Sequence, residues 1–236
     1  MPPLALRIFA VLCLAGTFWM FSMFRPEKPP GTVREVAAKR CDQYPRGFKG
    51  ATLAIEFAES PGEVDCIVSL GKRGLRPALR ADGITIALYW SILTCLSLLW
   101  WRSELPGGRV LGGAAAVGAT ASAVADLIEN RGIGLLLDGS RAQDVIDGVR
   151  TAAYWKWGLL AVTFALLAWF LLRRGRWTWL HAALFLLAAG SMAFALLSPG
   201  GLPYLGASVS WITRSLLVCV LLFLIYPRPV LPRAVR

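Results

Sequence analysis

The sequence predicts an all-α integral membrane bundle of about six transmembrane helices, with a small helical extracytoplasmic segment between the first and second. Three observations carry this expectation. Hydrophobic residues make up 56% of the 236 residues and charged ones only 17%. The apolar residues gather in runs of roughly 18 or more, the length needed to cross a ~30 Å hydrocarbon core. Outside the long Lys/Arg-rich stretch 25–82, most of the basic residues sit in short connections and at the end of the chain, not in one patch.

Six runs qualify: 4–24, 83–101, 108–130, 153–172, 177–197 and 204–226. The chain then divides into an N-terminal anchor (1–24), an extracytoplasmic helical segment (25–82), a five-helix core (83–226) and a basic tail (227–236). The apolar stretch of the first run exceeds the ~7–15 residues of a signal peptide. Phe24, Arg25 and Pro26 follow it, with no small-x-small cleavage site. It is therefore predicted to stay as an anchor.

The net charge of +11 does not point to nucleic acid, because of where it lies. Arg173, Arg174 and Arg176 fill one tight loop, and Arg228, Arg233 and Arg236 end the chain. That is the positive-inside pattern. It puts both termini on the cytoplasmic side of the membrane, with 25–82 and 131–152 as the sizeable outside segments.

Within the first outside segment, Ser60, Pro61 and Glu63 read as N-cap, first helical residue and capping-box acid. Val64, Ile67, Val68 and Leu70 continue an apolar face, and Gly71 reads as the stop. Residues 32–42 and 51–58 also have helical spacing. The segment is either packing that ties two spans together or a cap over a cavity. Cys41 and Cys66 are its two cysteines, and a disulfide between them is plausible if that side is oxidising; the alternative is two independent thiols. Cys13, Cys95 and Cys219 fall within apolar runs, as small hydrophobes do. No Cys-x-x-Cys is present.

The third run, "GRVLGGAAAVGATASAVADLIEN", repeats small residues every four positions: Gly108 and Gly112, then Ala115, Ala119 and Ala123. Such spacing lets helices approach closely in lipid. Gly118, Ser122, Asp126 and Asn130 form a second i, i+4 row, with Glu129 beside it. A charge inside a bilayer costs at least about 2.5–3.5 kcal/mol, so it faces a partner or water. Lys156, in the following run, is the expected partner; the chain has twenty Arg and only five Lys. Arg214, well inside the last run, is expected to join the same cluster. Tyr154, Trp155 and Trp157 read as an interfacial aromatic belt. His181, the single histidine, reads as an interfacial or packing residue.

"IEFAESPGEVDCIV" and "LRPALRADGITIALYW", together with Asp126-Leu-Ile-Glu129-Asn130 and a later Lys156, resemble a family of small bacterial multi-span membrane proteins. The resemblance covers roughly 52–160. It implies a shared architecture and points to Asp82, Asp126, Glu129, Asn130 and Lys156, without supplying a reaction.

The leading expectation is a protein that binds or transports a small molecule, ion or lipid headgroup at an outer-leaflet polar cluster. The cluster could instead be a structural ion-pair network that fixes helix register. The alternatives for the whole chain are a membrane enzyme acting on a lipid, with Asp126 or Glu129 as general base, and an accessory subunit of a membrane complex. A single His and no ligand spacing argue against a metal. No phosphate loop has the required context, and no cofactor is expected. The expected partners are membrane lipids, a second copy of the chain or another membrane protein.

Overall fold

The computed structural model describes residues 50–101, 106–174 and 178–206, with 45, 48, 208 and 211 as isolated positions. The described elements are α1 (Ala51–Glu56), α2 (Pro61–Trp101), α3 (Gly108–Leu137), α4 (Gln143–Arg174) and α5 (Trp179–Leu197), then a 3-10 turn at Leu202–Tyr204. No strand occurs among the described residues. Four of these helices are long and apolar enough to cross a membrane: Gly74–Trp101, Gly108–Leu137, Gln143–Arg173 and Trp179–Leu197. They overlap the second to fifth predicted runs, and the first three of them reach well beyond the predicted ends. The first run, the segment 32–42, the basic loop around Arg176 and most of the last run, including Arg214, lie outside the described residues.

Each helix packs mainly on its sequence neighbours, α2 on α3, α3 on α4 and α4 on α5, while α1 lies across α2, α3 and α4. The small-residue row of α3 is the seam. Gly108, Gly112, Ala115, Ala119 and Ala123 are all buried. A Cβ added at Gly112 would sit 2.5 Å from the Trp101 backbone nitrogen and 2.8 Å from the Ser97 carbonyl oxygen. The α2 and α3 backbones therefore touch there. Further along, Phe164 of α4 packs on Phe185 of α5, and Trp100 of α2 on Phe170 of α4, each at 4.8 Å between ring centroids. The opposite faces are apolar too. Val117, Ile128, Val162, Trp169, Leu180 and Phe194 are exposed, which suits contact with hydrocarbon.

Three sequence expectations are corrected. Gly71 does not stop a helix; α2 runs unbroken for 41 residues from Pro61 to Trp101. A stopping glycine takes a left-handed φ, and Gly71 is not among the positive-φ glycines. Its missing side chain serves packing instead: an added Cβ would lie 2.9 Å from the Ala51 Cβ, so Gly71 is where α1 lies against α2. The N-terminus of α2 does carry the expected cap. Glu63 N–H donates to Ser60 Oγ at 3.3 Å, while the Glu63 carboxylate accepts from Glu59 N–H at 2.6 Å, one residue earlier than in a standard box.

The second correction concerns 131–152, read as a loop because of its charges. α3 continues to Leu137 and α4 starts at Gln143. The charges decorate helix extensions, and the turn is only 138–142. Gly139, at φ +108°, closes α3, with Asp138, Gly139 and Ser140 N–H groups returning to its last carbonyls. Arg141 then ties the turn to Asp65 of α2 at 2.6 Å, and Arg76 of α2 reaches Asp138 at 2.6 Å. The third correction is Trp157, which is buried rather than part of a belt; Trp155 and Tyr154 are exposed. Cys66 is disulfide-bonded; Cys41, the partner the sequence suggests, lies outside the described residues. Cys95 is a free thiol.

Candidate functional site

Four buried charges from three helices meet at one point. Asp126 and Glu129 stand three residues apart on α3 and so share a face. Both are buried, at 5% and 1% exposure. Lys156 comes from α4 and is equally buried. Its Nζ lies 2.7 Å from Glu129 Oε1 and 3.4 Å from Asp126 Oδ1. The spacing-based expectation that Lys156 meets these two acids therefore agrees with the geometry.

The third carboxylate comes from outside the spans. Glu56, the last residue of α1, places Oε2 3.2 Å from Lys156 Nζ. The same oxygen accepts a hydrogen bond from Trp157 Nε1 at 3.1 Å. Lys156 also lies 4.9 Å from the centroid of the Trp157 ring, a cation–π contact. Sequence reading missed Glu56 because 51–58 reads only as a helical stretch of the outside segment, with nothing to place it against the spans. The available signal was local: Glu56 is flanked by Ala54, Ile55, Phe57 and Ala58, all buried. Phe57 packs edge-on to Tyr154, so apolar contacts carry the short helix down onto the bundle and the acid goes with them.

Around this centre, Tyr89 of α2 donates its hydroxyl to Asp126 Oδ2 at 2.9 Å. Asn130 Nδ2 donates to Asp82 Oδ2 at 2.7 Å. Asp82 and Asn130 thus form their own α2–α3 bond beside the ion cluster, and neither contacts Lys156 directly. Of the row Ser122–Asp126–Asn130, Asp126 goes to Lys156 and Asn130 to Asp82. Arg214 lies outside the described residues. His181 is buried on α5, and both ring nitrogens lack a hydrogen-bond partner among the described residues.

The charge count is unequal. Three carboxylates converge on one ammonium, in a region where an uncompensated charge is expensive. Asp126 Oδ1 and Glu129 Oε2 have no hydrogen-bond partner among the described residues. The ammonium itself occupies the point at which the carboxylates converge, where a metal ion would have to sit. No cluster of His, Cys, Asp and Glu able to hold a metal was found among the described residues.

Fold and site together define a class: a helical bundle of membrane-spanning length with a buried, acid-rich ion cluster closed from one end by a short cap helix. Compared with known proteins, the chain matches no family model, no curated protein and no solved structure.

Proposed function

We propose that this is a multi-pass protein of a bacterial inner membrane that binds a proton at the Glu56–Asp126–Glu129–Lys156 cluster, in the half of the bundle nearer the cap. One observation carries the reading: three buried carboxylates share a single ammonium, and Glu129 Oε2 has no hydrogen-bond partner among the described residues. Such a site gains by taking up positive charge. A proton needs no vacant volume, whereas the convergence point is already filled by Lys156. The basic end of α4, Arg173 and Arg174, supports placing the opposite end in the cytoplasm.

Infrared spectroscopy of the reconstituted protein tests this. Across a pH titration a carboxylic-acid C=O band should rise and fall reversibly, and Glu129→Gln should remove or shift it. A spectrum with no such band at any pH at which the protein stays folded would sink the proposal.

A second reading is favoured by Glu56: the cluster is a latch that holds the cap on the bundle. It predicts that Glu56→Gln, which keeps the shape and drops one charge, makes the cap markedly more open to protease while the spans stay protected. Unchanged cap protection would leave only the proton-binding role. An enzyme acting on lipid needs an opening from the hydrocarbon to a carboxylate of the cluster. The groove between α3 and α4 does not reach one: neither Asp126, Glu129 nor Lys156 lines it.

A further inference from the structure

That groove has a chemistry of its own. It opens on the outward side of α3 and α4, with a volume of about 650 Å³. Its floor is made of small residues, including Ala121 and Ala125 of α3 and Gly148 and Ala152 of α4. Val124, Ile128, Trp155 and Leu159 form apolar walls. On α4 the lining extends from Asp144 to Leu159, about 22 Å of helix at 1.5 Å per residue. That is close to the depth of one leaflet of a ~30 Å core with its interfacial layer.

Polarity is confined to one end. Asp144 and Asp147 line the mouth nearest the 138–142 turn, and Thr151 lies one turn deeper. Asp147 is paired with Arg150 at 3.3 Å. Asp144 is exposed and forms no ion pair among the described residues; its Oδ1 accepts only the adjacent Val145 N–H, at 3.0 Å. The mouth therefore offers an anionic group without a cation, above an apolar slot one leaflet deep.

We propose that this groove is a binding site for a phospholipid with a primary ammonium headgroup. The acyl chain lies along Val124, Ile128 and Leu159, and the ammonium donates to Asp144 and Asp147. The charge at the mouth selects the headgroup. An anionic lipid would be repelled there, although the chain as a whole carries +11 and attracts anionic surfaces elsewhere. A preference for the ammonium lipid would thus run against the bulk charge and report this site. The inference is independent of the proton reading, since the groove touches none of the ionised cluster.

The full chain, purified and delipidated in detergent, is titrated with phosphatidylethanolamine or phosphatidylglycerol and bound lipid is counted by native mass spectrometry. The wild type should retain phosphatidylethanolamine more tightly. Asp144→Asn combined with Asp147→Asn should reduce that preference roughly tenfold, within the range of two partly exposed ion pairs. Gly148→Leu tests the slot without touching the acids. An added Cβ at Gly148 meets nothing within 4 Å, so the variant should fold, and its side chain should expel lipid of either kind from the groove. Equal binding of the two lipids by the wild type would overturn the ammonium assignment. Unchanged phosphatidylethanolamine binding in Gly148→Leu would overturn the groove.

Discussion

Lys156→Met is expected to destabilise the protein by about 3–5 kcal/mol, the usual cost of removing one partner from a buried ion cluster. The substitution keeps most of the side-chain volume and strips the one ammonium that Glu56, Asp126 and Glu129 share. Three carboxylates would then lie together without a countercharge among the described residues. Trp157 and Tyr89 cannot compensate, because each donates a single neutral hydrogen bond. The informative comparison is Glu129→Gln. It removes one of three negative charges and leaves Lys156 with two acids, so its cost should be far smaller. Thermal unfolding in detergent, followed by circular dichroism, checks the asymmetry. If the two variants lose the same stability, the acids do not carry the excess charge on which the proton-binding reading depends. Adding Glu129→Gln to Lys156→Met should recover part of the loss, a coupling that independent sites would not show.

The second large effect is expected at Gly112. Gly112→Leu should cost at least the ~1–3 kcal/mol typical of overpacking. The obstruction is backbone, the Trp101 nitrogen at 2.5 Å and the Ser97 oxygen at 2.8 Å from an added Cβ. Two helices must separate to relieve it, and in lipid their association rests on close packing because solvent exclusion contributes little. Gly113 is the control, since an added Cβ there meets nothing within 4 Å. Gly113→Ala should leave stability within about 1 kcal/mol of wild type, slightly raised by the better helix former. The midpoint of thermal unfolding distinguishes the two. Equal tolerance at both positions would mean that the α2–α3 contact is not as close as the geometry has it.

Several features were legible in the sequence because they depend on local spacing. The four described spans follow from apolar run length, the α2–α3 seam from small residues every four positions, and the Lys156 partners from the three-residue step between Asp126 and Glu129. What escaped depended on distance along the chain. Glu56 and Lys156 are separated by 100 residues, and no periodicity in either neighbourhood refers to the other. Gly71 was misread because a glycine that ends a helix and a glycine that admits a neighbour look alike in sequence. Charges between Arg131 and Arg150 resembled a loop because helices that rise beyond the hydrocarbon carry the same polarity as loops do. The indole of Trp157 was assigned to the membrane boundary from its aromatic neighbours, although its N–H was needed by an acid elsewhere in the chain.

The unbroken α2 also has a mechanical consequence. Its segment 61–73, outside the apolar span, is ~20 Å long, and Pro77 lies just below it. Proline removes a backbone hydrogen bond, so the helix bends more easily at that level. Apolar packing steadies the segment, with Val64 and Ile67 fully buried and Gly71 against Ala51, and two ion-pair braces add to it, Arg76 with Asp138 beside the soft point and Asp65 with Arg141 well above it. Both braces are partly exposed and weaken as salt is added. The outer arm of α2 is thus anchored chiefly by packing, with the ion pairs as minor stays. Added salt loosens only those stays, while the dry contacts around Lys156 are insulated from the same change.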